Sequence, residues 1–510
     1  MNLVKNSKIY IVIFSACILL LVTVRGVYYD QNSCMGVPLI SDSRLDAYTE
    51  DLIIDLSDIT FNEESVAVDT IRNTIYISQS SEMINHWSDL QGKLEINNSR
   101  QDIYFLDNIQ LQNLKETVTT ADYLTLVVIE DNSMCKIKVA VSNLPIISLN
   151  GEASGEVTEK GHPVLVGDMT IFAGYNPGVG ILDVESCSLE WHLRGGKSAK
   201  LSKQPQKLSL KKKNGDNLNM DLLGMGADDD WILNPMNLDD TKLREKTAIE
   251  VWNNYIMDSS ADYPMSTSQY VEVVINGQYQ GLYLLQRRID EKYLKIDKKT
   301  DLIFKGRQVW VANNVVEGYE LVYSPYDEMQ SYALLQEYLL EVDETNYVNV
   351  NTFLHYLSAM DNTGYKNMFY ILRQGNDGRY TMHLLPWDTD VSMGMIPSAG
   401  FINWYDYNQA IWMDSRRMEY YNVMLTYVDL DADMRARWYE LTDVVFGENG
   451  IYEKILDENK QYILDSGAFT RDKNHWGFVY EGRDSMENLY KWNIEKTKLI
   501  NEFWRKYEGE

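Results

Sequence analysis

The chain has 510 residues, more than one ordinary domain of ~150 residues accommodates, so about two or three folding units are expected. Hydrophobic residues make up 45%, enough for a packed core, and 10 prolines are too few for long disordered linkers. With 47 Lys and Arg against 75 Asp and Glu, the formal net charge is −28, a field that repels DNA and RNA and argues against a nucleic-acid partner.

Lys5 and Lys8 precede an apolar run from Ile9 to Val24, broken only by Ser15 and Thr23. Such a run, ~16 to 18 residues long, lies between a signal-peptide core and a full span. No small-x-small cleavage site follows, so residues 1–29 read as an uncleaved signal anchor, a single transmembrane helix. The lysines before it favour an inside N-terminus and a body outside the cytoplasm, attached to the membrane through this segment; cleavage would make the protein secreted. Residues 30–50 read as a polar tether.

From 51 to 143, short apolar runs alternate with polar breaks: Leu52 to Leu56, Thr74 to Ile77, Ile103 to Leu106, Leu124 to Ile129 and Ile137 to Val141. These read as strands of a β-rich accessory module, with a helix over Ser81 to Leu94. Cys17 lies in the apolar run; Cys34, Cys135 and Cys187 show no metal-ligand spacing and leave one disulfide or free thiols open.

Strand-like and helix-like stretches then alternate from 144 to 510, an α+β pattern with a helical C-terminal part. Leu144 to Leu149 opens it. Val271 to Ile275 and Leu282 to Leu285 flank Asn276-Gly277, a strong hairpin signal. Helices are expected at Asp240 to Tyr255, Ser331 to Leu340, Val350 to Met360 and across much of 433–508.

Four blocks in this stretch carry chemistry. Leu193-Arg194-Gly195-Gly196-Lys197-Ser198 is followed by Lys200, Lys203 and Lys207, a basic run in an acidic chain. Paired glycines admit a ligand close to the backbone, and the cations suit phosphate. The Asn276-Gly277 hairpin is the second block. Asp301 to Gly306 ends an apolar strand on Lys305, which can reach into a cleft toward nucleotide phosphates. In the fourth, Asp361 and Asn367 precede a strand, a turn at Gly375 to Gly378, and a second strand running into Pro386-Trp387-Asp388-Thr389-Asp390. An Asp, then an Asn, then a hairpin ending on an Asp is how a phosphotransferase places its base and metal ligands. Asp361 would orient or deprotonate the acceptor hydroxyl. Asn367 and Asp388 would hold Mg2+ or Mn2+ through oxygen, with Asp390 a further or outer ligand.

In this order the blocks resemble the CotH kinase family, the spore coat protein H type of atypical protein kinase. The resemblance runs from about Leu144 to Trp476. It includes Arg194-Gly195 with Ser198; Trp231-Ile232-Leu233 with Asp240 to Arg244; Asn276-Gly277-x-Tyr279-x-Gly281-Leu282-Tyr283; Lys305; Asp361-Asn362 with Asn367; Pro386-Trp387-Asp388-x-Asp390 with Gly394; Arg437-Trp438; and Ser466-Gly467-Ala468 with Arg471. It implies a divergent protein-kinase-like fold that binds ATP with a divalent metal and phosphorylates Ser or Thr of secreted or cell-surface proteins. It matches Asp361 to the family's catalytic-loop Asp and Asp388 to its metal-binding Asp, with Arg194, Ser198, Lys207 and Lys305 toward the nucleotide. Two departures stand out. Gln286 and Arg287 occupy the stretch where many members carry a Glu, leaving Glu291 or Glu320 as substitutes. Asn367 lies six residues after Asp361, one more than in ordinary protein kinases. The missing Glu keeps a second reading in view, a non-catalytic surface or adhesion protein on the same frame.

Overall fold

The structure, a computed structural model, describes residues 33–174, 184–196, 198–307, 318–339, 341–359, 362, 367–396, 400–401, 431–480 and 482–507. The apolar N-terminal run and Asp361 lie outside the described residues. Among the described residues no helix is long and apolar enough to cross a membrane.

The N-terminal part is β-rich, as its alternating runs suggest. A seven-stranded sheet is formed by Ser33–Cys34 (β1), Val37–Ile40 (β2), Ala67–Asp69 (β3), Thr74–Ser78 (β4), Asp102–Leu106 (β5), Leu124–Glu130 (β6) and Ser133–Ser142 (β7). Its order is β1-β2-β5-β6-β7-β4-β3. Two expectations fail here. Leu52 to Leu56 is not a strand; the chain runs irregularly into a 3-10 turn at Leu56–Asp58. Ser81 to Leu94 is not one helix but two 3-10 turns, Met83–Asn85 and Trp87–Asp89, followed by a strand starting at Leu94. The buried residues Ile84, Trp87 and Leu90 recur every third position, the period of a 3-10 turn and not of an α-helix. Cys34, Cys135 and Cys187 are unbridged.

The next element is a closed barrel, a feature the linear pattern does not reveal. Its strands are Ile146–Val157 (β8), Pro163–Phe172 (β9), Val184–Leu193 (β10), Gln206–Lys211 (β11), Asp230–Asn234 (β12), Ser268–Ile275 (β13) and Gln278–Arg287 (β14), in the order β8-β9-β10-β11-β12-β14-β13. Closure comes from a parallel pairing, Ile146 opposite Glu272 through Leu149 opposite Ile275. Leu149, Met169, Ile171, Leu189, Trp191, Leu208, Trp231, Leu233, Val273 and Leu285 fill the interior, so the barrel is a packed core and not a pore. Asn276 (φ +47°) and Gly277 (φ +69°) make the tight turn between β13 and β14 that their sequence predicts.

A four-stranded antiparallel sheet follows: Leu302–Gly306 (β15), Tyr319–Tyr323 (β16), Met368–Gln374 (β17) and Tyr380–Pro386 (β18), in the order β16-β15-β17-β18. Helices Arg244–Val251 (α1), Glu328–Tyr338 (α2), Glu344–Leu357 (α3), Asp431–Leu441 (α4), Ile451–Asp465 (α5), Ala468–Trp476 (α6) and Met486–Tyr507 (α7) complete the α+β chain. The largest core joins this sheet to α1, α3 and the C-terminal helices through Trp252, Phe353, Tyr356, Trp438 and Trp492. Barrel and sheet meet along one edge, and the candidate site lies there.

Candidate active site

Strand register brings the basic groups together. Across the barrel, His192 pairs with Lys207, Lys207 with Ile232, and Ile232 with Gln286. Residues directly opposite one another share a face, so this row puts His192, Lys207, Ile232 and Gln286 on one face of the barrel, the first three lining the cleft. On that sheet Glu320 pairs with Lys305, Lys305 with Phe369, and Phe369 with Leu385. The rows border a cleft of about 410 Å3 lined by His192, Arg194, Lys207, Arg288, Lys305, Glu320, Phe369 and Trp387, with Thr158 to His162 at the tip of the β8–β9 hairpin over its mouth. That volume suits a nucleotide-sized ligand.

The cations in the cleft divide into two kinds. Lys207 and Arg288 share Asp230, at 3.0 Å and 2.7 Å. Asp230 would be pushed up by burial, but Lys207, Ser209 and Arg288 outweigh it and hold the carboxyl below its usual range. Arg194 and Lys305 instead lie over ring faces. The Arg194 guanidinium is 5.6 Å from the Trp387 ring centre, and the Lys305 ammonium is 5.3 Å from Phe369 and 5.4 Å from Trp387. Among the described residues neither forms an ion pair. Burial lowers the Lys305 ammonium to about 8, with Arg194 adding to it and Asp388 and Glu320 opposing. Arg194 is lowered for the same first reason, with Asp388 opposing and Arg288 adding. Two part-buried cations that line a cleft without ion pairs among the described residues are a feature that an anion would stabilise.

Of the other expected nucleotide residues, Ser198 stands behind the Arg194–Gly195 turn and does not line the cleft among the described residues. Gly195 has φ +88°, and a Cβ there would collide with the Ser198 hydroxyl. Lys203, part of the basic run, faces away: it is buried and ion-paired to Asp472 at 2.7 Å.

The acidic end of the site forms at the open edge of the β17–β18 hairpin. Trp387 N donates to the Asn367 carbonyl at 2.9 Å, which sets Asn367 beside Asp388. Both residues have left-handed backbone, φ +55° and +60°, a conformation that costs an Asp of order 1 kcal/mol and persists where the surroundings enforce it. Asn362, not assigned a role by sequence, does part of that enforcing. It is buried, and its Nδ2 donates to the Asn367 carbonyl at 2.9 Å and the Trp387 carbonyl at 2.7 Å. Asp388 acts electrostatically on Arg194, Lys305 and the buried Glu245. Asp390 acts on the Tyr480 hydroxyl, together with Asp240 and Asp484.

Glu245 is the residue that sequence reading missed by one position. It follows Arg244 at the start of α1 and is 1% exposed. Burial, then the Asp388 charge, pushes its carboxyl up to about 7. Its Oε1 accepts from Gln286 Nε2 at 3.2 Å. Gln286, standing where a Glu was expected, is therefore the amide donor to a glutamate reached from elsewhere in the chain. Glu320 is cross-strand to Lys305, while Glu291 pairs with Lys298 at 3.2 Å and does not line the cleft.

The family model described as CotH kinase protein matches residues 192–500. The chain belongs to the CotH kinase protein family. No curated protein matches the chain. The CotH match begins at the end of β10 and runs into α7, so it takes in the cleft rows from His192 onward, Asn367 and Asp388. Strands β8 and β9, which complete the barrel, and the N-terminal sheet precede it.

A divalent ion fits the donors at the hairpin edge. Asn367 and Asp388 offer oxygen, the donor that hard divalent cations take, and the buried Asn362 Oδ1 has no hydrogen-bond partner among the described residues. No group of three or more His, Cys, Asp or Glu side chains converges among the described residues; a metal held by one Asp and one Asn needs its remaining ligands from elsewhere, as phosphate oxygens supply in kinases.

Proposed function

We propose that this CotH-family chain is an extracytoplasmic atypical protein kinase that transfers the γ-phosphoryl group of ATP to Ser or Thr of secreted or cell-surface proteins. The observation that carries the reading is a pair of part-buried cations, Arg194 and Lys305, that have no ion pair among the described residues and feel the charge of Asp388. Both would bind phosphate oxygens, exchanging solvent-poor isolation for ionic partners. Lys207 and Arg288, already tied to Asp230, would border the anion and fix its position. Asn367 and Asp388 would hold Mg2+ or Mn2+, with Asp390 in an outer position; when bound, such an ion neutralises charge developing on the transferred group. Asp361, assigned by its place in the motif, would accept the proton of the acceptor hydroxyl. Attachment to the membrane and the outward-facing body rest on the apolar run and its preceding lysines.

The test is phosphate incorporation. The full chain incubated with ATP and Mn2+ should label Ser or Thr of acidic or basic acceptor proteins, or of itself, and Asp361→Asn and Asp388→Asn should each abolish it. Labelling unchanged by Asp388→Asn, or none with either metal, would contradict the kinase reading.

A further inference from the structure

The turn that carries Asp388 is gripped from two sides, and the second grip comes from a helix remote in sequence. On one side, Asn362 donates to the Trp387 carbonyl at 2.7 Å, and Trp387 N donates to Asn367. On the other, the Glu245 carboxylate accepts from Thr389 N at 2.6 Å and from Thr389 Oγ1 at 2.8 Å. Asp388, with φ +60°, stands between them. The neighbouring residue of α1 extends the grip: Arg244 Nε donates to the Ser392 carbonyl at 3.0 Å, and Ser392 Oγ donates back to the Thr389 carbonyl at 2.6 Å. Arg244 is itself fixed by Asp239 at 2.6 Å and Asp484 at 2.8 Å.

These bonds are more than a structural tie. A left-handed Asp has a lower-energy alternative nearby, and relaxation of φ would swing its carboxylate. Glu245 spends both oxygens on the site: one on Thr389, the other on Gln286. Gln286 lies in the barrel row that contains Lys207. One carboxylate thus links the barrel row to the metal-binding turn.

We propose that Glu245 is a positioning residue that holds the Thr389 backbone and hydroxyl so that the Asp388 carboxylate presents to the metal of a metal–nucleotide complex. This rests on the nucleotide reading above. None of Arg194, Lys207, Arg288 and Lys305 bonds to Glu245 directly, so binding of nucleotide without metal should not require it. Outer-shell hydrogen bonds of this kind are worth roughly 10- to 100-fold in metal affinity.

The experiment titrates Mn2+ into the full chain in the presence of ATP, following the protein-bound fraction by the loss of the free-ion paramagnetic signal, and separately measures ATP binding in chelator. Wild type is compared with Glu245→Gln, which keeps the packing, and with Thr389→Val, which removes only the hydroxyl. The expected result is weaker Mn2+ binding, by at least about tenfold in Glu245→Gln and by less in Thr389→Val, with ATP binding in chelator unchanged in both. The double variant should lose little more than Glu245→Gln alone, because both act through the same Glu245–Thr389 contact. If wild type binds Mn2+–ATP and both variants match it, Glu245 is structural and the proposal is overturned while the nucleotide reading stands. If wild type binds no Mn2+–ATP, the nucleotide reading falls and this proposal falls with it. Should Glu245→Gln fail to fold, Thr389→Val decides alone.

Discussion

Lys305 keeps a proton in a place that disfavours it. Its folded value is about 8 against an ordinary lysine value of 10.5, and burial is the main cause. Between those pH values the unfolded chain holds more protons than the folded one, so this residue's contribution to stability rises with pH across that window and is unfavourable below it. Lys305→Met is therefore expected to leave the melting temperature at pH 7 unchanged or higher, while weakening ATP binding by at least about tenfold, the usual worth of a desolvated charge-assisted bond. Thermal scans and equilibrium titration read the two effects, and a joint loss of both would contradict the account. In the wild type, ATP affinity should decline as pH rises through about 8, as free Lys305 loses its proton. Gln286 gives a second prediction. Replacing its amide with a carboxyl, Gln286→Glu, would set two buried carboxylates against each other at Glu245 and destabilise the chain by about 3 kcal/mol at pH 7. A carboxyl whose folded pKa is raised loses stability as pH increases, so the deficit should shrink toward pH 5; a pH-independent deficit would argue for a packing cause. Arg194, Lys305, Asn367 and Asp388 were legible as residues because their chemistry is unusual in its local sequence. Glu245 and Arg288 were not, because their partners are 144 and 58 residues away in the chain, and Asn362 stood in the motif without a role because its grip on the Trp387 carbonyl spans 25 residues.

At the scale of elements, local signals performed according to how local their cause is. The Asn276-Gly277 turn and the β17–β18 hairpin follow from residues within them. The helix expected from Asp240 to Tyr255 begins only at Arg244 because Asp239 and Asp240 spend their carboxylates elsewhere: Asp239 on Thr241 and Arg244, Asp240 on Val479 and Tyr480. Barrel closure was invisible, since it joins β8 to β13 across more than a hundred residues. The β8–β9 hairpin outgrows the barrel; its outer part from Glu152 to Val157 is exposed, and Gly155 (φ +89°) lies in an irregular stretch of the pairing. Its tip is tied by Thr158 N to the His162 carbonyl at 2.8 Å and by Gly161 N to the Thr158 carbonyl at 2.8 Å. Removing the two side chains at this tip, Lys160→Ala with His162→Ala, should reduce ATP affinity about two- to fivefold, as expected for a partly solvated charge. It should leave the melting temperature in place. No change in affinity would show that the tip does not reach the ligand.

Over the whole molecule, the N-terminal sheet does not hang free. Tyr76 stacks on Tyr279 of the barrel at 4.7 Å, and Thr70 N donates to the Gly277 carbonyl at 2.9 Å. The buried Asp69 accepts from Arg72 Nη1 at 2.8 Å and from Tyr279 N at 3.3 Å. Arg72 then reaches His475 of α6 at 2.6 Å. The β-rich accessory module therefore packs against both barrel and helices. Asp69→Ala should destabilise the whole chain by about 2 kcal/mol, since it strips several donors of a charged acceptor at once. It should shift a single melting transition; a separate early transition would show that the sheet melts by itself. In the cleft, Arg194 and Lys305, without ion pairs among the described residues, stand beside the Asn367–Asp388 edge proposed above to hold a metal. The most direct test of that arrangement is the melting temperature of the full chain with ATP, with and without Mg2+ or Mn2+, beside Asp388→Asn. A ligand bound only by the folded state raises the midpoint by mass action. A metal-dependent rise that Asp388→Asn abolishes is the predicted result; no rise with any nucleotide or metal would contradict it.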